Sequence, residues 1–170
     1  MELTMQDKRT NAKEAAISIA GSAIAIAEGW LAPVLDLAIR VWVGMVFFQS
    51  GLTKIQSWDT TLSLFENEYS VPLLPPELAA YLGTDNELIL PLFLVLGLGG
   101  RLSATALFVF NIIAVVSYPG LGEIGLKDHQ YWGLLLLIPL LHGPGKLSID
   151  HFLRRHFYRD DASSKRGNLS

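Results

Sequence analysis

The stretch LAPVLDLAIRVWVGMVFFQSGLT, residues 31–53, decides the fold. It is apolar over the roughly 20 residues that cross a hydrocarbon core, yet it carries an acid, a base and two glycines. With the next residue added, Asp36, Arg40, Gly44, Phe47, Gly51 and Lys54 fall four, four, three, four and three residues apart. That spacing lays all six along one helical face. An ionisable side chain at the centre of a lipid span costs about 2.5–3.5 kcal/mol on insertion scales, so this stripe has to face other helices. The glycines let a neighbour approach closely, and Asp36, one turn before Arg40, can neutralise it as an inner ion pair.

Three more apolar stretches follow, at residues 88–100, 102–119 and 129–141. Each is near or just below spanning length, so the shorter ones must recruit flanking uncharged residues. The chain is 51% hydrophobic, and its 13 basic and 16 acidic residues gather at the ends and in one long connection. These features predict an all-α integral membrane bundle of four transmembrane helices. Cysteine is absent, which removes disulfides, thiol redox pairs and thiolate metal sites together. No Gly-rich phosphate loop or His-rich zinc motif is present either.

Residues 15–27 are apolar but short and rich in Ala and Ser, with Lys8, Arg9 and Lys13 before them. No polar mature domain follows, so an interfacial helix is expected rather than a signal peptide. The expected organisation is a cytoplasmic tail with that helix over 1–32, a four-helix membrane domain over 33–153 and a basic cytoplasmic tail over 154–170. Ten Lys and Arg lie in the N-terminal tail, at Arg101 and from Lys146 onward, against Lys54 and Lys127 on the other side. Short cytoplasmic segments are enriched in these residues, which makes both termini cytoplasmic. The connection between the first two spans is too long for a simple loop and is expected to hold structure of its own, capping the outer mouth. Within it, Leu62, Phe65 and Tyr69 share one face of a short helix, and Glu77 to Leu82 reads as another helical turn. Near the C-terminus, His142-Gly-Pro-Gly145 stops the fourth helix, and Ser148 can cap an amphipathic, basic final one.

Antiparallel spans bring Lys54, at the outer end of the first, level with Glu87, at the start of the second. Gln49, Tyr118, Asp128, His129 and Trp132 are expected at the same level, forming a buried polar cluster. His129 has the unperturbed pKa nearest neutrality, so it is the candidate for proton transfer or a metal contact. A single imidazole is a weak ligand set, because transition-metal sites normally gather several donors. Asn111, midway along the third span, is expected to make an interhelical hydrogen bond.

Three features carry a family resemblance: Arg40, Gly44, Phe48, Gly51 and Lys54; Glu87 before a second span ending in Gly100-Arg101; and Gly143-Pro-Gly-Lys-Leu-Ser-Ile-Asp150. From about Leu35 to Leu153 the chain resembles the DoxX family of small four-helix bacterial inner-membrane proteins. Phe47-Phe-Gln-Ser-Gly-Leu-Thr-Lys-Ile-Gln-Ser-Trp-Asp59 and Pro72-Leu-Leu-Pro-Pro-Glu77 are similar to a subgroup encoded beside secreted copper-binding peptides. The resemblance thus implies an accessory component of a periplasmic redox or copper/metal-stress system, with copper as one candidate ligand. Other members are linked to oxidoreductase complexes, including a quinone-reducing one, which makes quinone the other. The alternatives are a membrane subunit of a quinone-linked oxidoreductase, in which Trp42, Phe47 and Trp132 line a ring pocket, and a small transporter. Expected partners are the lipid bilayer, a periplasmic redox or metal-binding protein and a second copy of the chain; a nucleic acid is not among them.

Overall fold

The computed structural model describes residues 13–14 and 17–156. Lys8, Arg9 and the tail from residue 157 lie outside the described residues. Among the described residues there is no strand. The α-helices are α1 (Ala32–Gln56), α2 (Trp58–Asn67), α3 (Pro76–Leu96), α4 (Gly100–Ser117) and α5 (Glu123–His142). A further helical segment runs from residue 149 to 156. The protein is an all-α membrane bundle. Ile17–Gln56, Pro76–Leu96 and Gly100–Ser117 are each long and apolar enough to cross a bilayer. The fourth expected crossing, α5, has comparable length but opens on Glu123, Lys127, Asp128, His129 and Gln130 before its apolar half.

Contacts divide the chain into two units, Met1–Leu35 and Asp36–Ser170. In the first, the apolar stretch expected at 15–27 is helical from residue 17 and passes through a π-turn at Ala27–Leu31. Ile17, Ile19, Ile24, Ile26 and Trp30 are all exposed there.

In the second unit, α1, α3, α4 and α5 all contribute to one core of Val43, Phe47, Leu94, Ala104, Leu107 and Leu136. The outward surface carries exposed Met45, Val109, Ile112, Val116 and Leu134, with Trp42 66% exposed. An apolar exterior of this kind suits lipid, where close packing and interhelical hydrogen bonds, rather than the hydrophobic effect, hold helices together. The polar stripe of α1 meets α3 as its glycines require. A Cβ on Gly44 would lie 2.6 Å from Val95 Cγ2, and one on Gly51 would lie 2.8 Å from Leu88 Cδ2. Both distances are shorter than a real carbon contact, so any side chain here would force Val95 or Leu88 of α3 to move.

The second span differs from expectation. Instead of starting at residue 88 after a separate turn, α3 is continuous from Pro76, which sits where a missing N–H costs nothing. Residues 83–86 keep the helical ladder, and Asn86 Nδ2 donates to the Leu82 carbonyl at 2.7 Å instead of breaking it. Glu87 therefore lies mid-helix rather than at a span's end. Similarly, α5 begins at Glu123, ahead of the expected His129. The turn between α3 and α4 is tight because Gly97 and Gly99 both take left-handed φ, +65° and +66°.

Candidate functional site

The expected cap is present. After α1 the chain folds back as α2, anchored by the Thr61 hydroxyl donating to the Lys54 carbonyl at 2.9 Å. Phe65 is buried against Ala79 and Ala80 of α3, flanked by Trp58, Leu62, Tyr69 and Val71. The face predicted from Leu62, Phe65 and Tyr69 is thus the packed one. The segment then crosses to the end of α4, where Ser70 N donates to the Ser117 carbonyl at 2.7 Å. Rings stack over the same path, Phe65 on Tyr69 at 4.5 Å and Tyr69 on Tyr118 at 4.8 Å between centroids. The Tyr118 hydroxyl donates to Glu68 Oε2 at 3.0 Å and closes the lid.

Beneath this lid lies a chamber of about 570 Å³. Gln49, Lys54, Glu87, Tyr118, His129 and Trp132 all line it, so six of the seven residues expected in the outer cluster converge. Asp128 is the exception: it is exposed and is not among the chamber walls. Successive residues on a helix point about 100° apart, so the turn that aims His129 inward aims its neighbour outward.

Lys54 Nζ binds Glu87 Oε2 at 2.5 Å and donates to Ser50 Oγ at 3.0 Å. This is the one ion pair within 4 Å among the described residues, and its side chains are only 15% and 10% exposed. The expected partnership of Lys54 and Glu87 is therefore direct contact. Asn111 reaches His129 from α4. Its Nδ2 donates to the His129 carbonyl at 3.0 Å, which leaves Oδ1 facing the imidazole Nδ1 at 2.7 Å. An amide oxygen only accepts, so Nδ1 carries the proton and Nε2 is the basic nitrogen of the neutral ring. No hydrogen bond occupies Nε2, and it is not sealed from access. Trp132 stands edge-on to the imidazole at 4.7 Å and to Phe47 at 5.7 Å.

Two further residues of the site fall outside the expected polar cluster. Ser117 lines the chamber, is 2% exposed, and its hydroxyl has no hydrogen-bond partner. Tyr69 forms part of the ceiling; burial pushes its phenol above the ordinary value, with the carboxylates of Glu87 and Glu68 and the phenol of Tyr118 adding to the shift. Tyr118 is also raised, because only its protonated form can donate to the Glu68 carboxylate.

At the opposite, basic end, Arg40 is 1% exposed. Its Nη1 donates to the carbonyls of Val95 at 3.1 Å and Leu94 at 3.4 Å, and its Nη2 donates to the Leu147 carbonyl. Asp36 makes no ion pair with it within 4 Å; a Cβ on Gly145 would lie 2.9 Å from its Oδ2 instead. The expected inner pair is thus not a direct contact, though Asp36 still acts on Arg40 through its charge, and carbonyl ligation ties α1 to α3 and to the segment after α5. That segment restarts as expected, with Ser148 Oγ accepting from His151 N at 3.1 Å.

The lid, the chamber and the apolar exterior define a class, a small multi-pass helical membrane protein with a largely apolar cavity, set with a few polar groups, at one end. Within that class the chain belongs to the DoxX family, whose family model matches residues 35–119. An uncharacterised protein of Haemophilus influenzae is 28% identical over 128 residues, 70% of this chain and 83% of its own length. No solved structure matches the chain.

Proposed function

We propose that the chain is the membrane-embedded, ligand-binding component of a periplasmic redox or stress-response system, and that its ligand is a quinone-type ring. The observation that carries this reading is the chamber itself. Phe47, Phe65, Tyr69, Phe110 and Trp132 offer ring-sized apolar walls, while Gln49, Lys54 and His129 offer polar groups that converge from different helices. Pockets of this volume with few placed polar groups suit small ring-bearing ligands. In this reading Lys54 donates to a ring oxygen, and His129 Nε2 accepts from the reduced form's hydroxyl. A bound quinone supplies two-electron, two-proton carrier chemistry.

Copper suits the same residues less well. His129 is a single imidazole flanked by an amide and an indole, and the chamber walls hold no thioether. Copper sites draw on several imidazole or sulfur donors. The cluster also lies under the lid, which favours a small ligand over a docked protein as its occupant.

Short-chain quinone added to purified protein in mild detergent should quench tryptophan emission saturably, and His129→Leu should weaken binding about tenfold. Absence of saturable binding, together with no quinone in solvent extracts of the native protein, would remove this reading.

The same proposal places the protein in a bacterial inner membrane with α1, α3, α4 and α5 crossing. Residues 1–32 then form a cytoplasmic tail and interfacial helix, and 154–170 a basic cytoplasmic tail. The Lys and Arg asymmetry supports that orientation. Because the chain has no cysteine, single substitutions report cleanly. An impermeant maleimide should label Asn67→Cys in intact spheroplasts and leave Lys146→Cys unlabelled until lysis. The reverse pattern would invert the topology.

A further inference from the structure

The basic end of the bundle holds a second concavity, of about 990 Å³, that shares no wall with the chamber. Arg101 enters it from the first turn of α4, His142 from the last turn of α5, Lys146 from the turn beyond, and His151, Arg154 and Arg155 from the final helical segment. Four permanent cations from three separate elements therefore surround one hollow. None of them has a carboxylate within 4 Å among the described residues. Asp150 is the acid in the wall, and its Oδ1 is already engaged by the Gly99 amide at 3.2 Å.

The α4 N-terminus borders the same space, and the Asp150 carboxylate already accepts there from the Gly99 amide, so the cations themselves carry the positive field. Four cations against the single acid Asp150 leave the wall net positive, which suits an anion. The rim indicates which anion. Leu102, 74% exposed, and Leu153, 45% exposed, stand in the wall among the cations. A soluble anion needs the charges alone, whereas this pattern of apolar side chains around a basic hollow matches a phosphate that carries acyl chains.

We infer that this concavity seats the headgroup of an anionic phospholipid, its phosphate against Arg101, Lys146, Arg154 and Arg155 and its chains along the exposed leucines. The inference does not depend on the occupant of the chamber.

The test is native mass spectrometry of the full chain in mild detergent, titrated separately with phosphatidylglycerol, phosphatidylcholine and inorganic phosphate. One phosphatidylglycerol per chain should be retained where phosphatidylcholine is lost, and that preference should shrink as salt is raised. Arg101→Gln combined with Arg154→Gln should weaken phosphatidylglycerol binding about 30-fold, as expected for two lost charges near a lipid surface. The charge-conserving pair Arg101→Lys and Arg154→Lys should retain most of it, and Lys127→Gln at the other end should change nothing. Equal retention of both lipids by the parent protein would overturn the inference, and that comparison needs no variant to fold. Displacement of phosphatidylglycerol by phosphate alone at millimolar concentration would overturn it too, by assigning the hollow to a soluble anion.

Discussion

Lys54→Met and Glu87→Leu, made singly, are each expected to destabilise the protein by about 3 kcal/mol, whereas the double variant carrying both should lose markedly less. The two side chains meet at 2.5 Å with little exposure. Removing one partner strands the hydrogen-bonding demand of the other under the lid, while replacing both with apolar groups of similar size removes the demand altogether. Ser50, the remaining acceptor of Lys54, cannot neutralise the ammonium alone. Thermal unfolding in detergent, followed by tryptophan emission, gives the three stabilities and their coupling. Strictly additive losses would show that the contact contributes nothing of its own. The double variant should still fail to bind a quinone-type ligand with native affinity, because it removes a chamber donor while sparing the fold.

The second large effect is expected at Arg40. Arg40→Met should cost about 3 kcal/mol or more, since it leaves the carbonyls of Leu94, Val95 and Leu147 without the donor that joins them. Arg40→Lys should recover only part of this. An ammonium keeps the charge but lacks the planar fork that reaches α3 and the segment after α5 together. Asp36→Asn, by contrast, should cost no more than about 1 kcal/mol, because no ion pair within 4 Å is lost. The same unfolding measurement separates the cases. If Asp36→Asn proved as damaging as Arg40→Met, the carboxylate would be the chief support of the guanidinium after all. Gly97 belongs to this contact. Its φ of +65° and the position of Arg40 Nη1, 2.6 Å from where a Cβ would stand, leave no room for a side chain.

These two sites also show which parts of the protein were legible beforehand. The stripe from Asp36 to Lys54 was readable because a helix repeats every 3.6 residues and a bilayer tolerates no unsatisfied charge. Those two facts alone aim the stripe inward and call for close-packed glycines where it meets a neighbour. The pairing of Lys54 with Glu87 followed from antiparallel spans of known rise, even though Glu87 turned out to lie mid-helix rather than at a helix end. The convergence of Gln49, Tyr118, His129 and Trp132 at that level followed in the same way. The basic end was legible as a cluster of charges but not as a hollow.

What the tertiary structure alone decided concerns partners that have no signature in sequence. Arg40 is held by backbone carbonyls, and every residue owns one, so nothing in the amino-acid order marks Leu94, Val95 or Leu147 as its ligands. Asp128 and His129 are neighbours in the chain, and only the rotation of α5 against the bundle sends one to the exterior and the other to the chamber. The clasp of Asn111 on His129, which fixes the imidazole's proton on Nδ1, depends on α4 and α5 meeting in one register. The chamber exists because α2 folds back and lays Phe65 and Tyr69 across the helix ends. Periodicity and length thus determined which faces are buried and at what depth. Which buried groups touch was left to helix rotation and chain return, because those depend on packing among residues far apart in sequence.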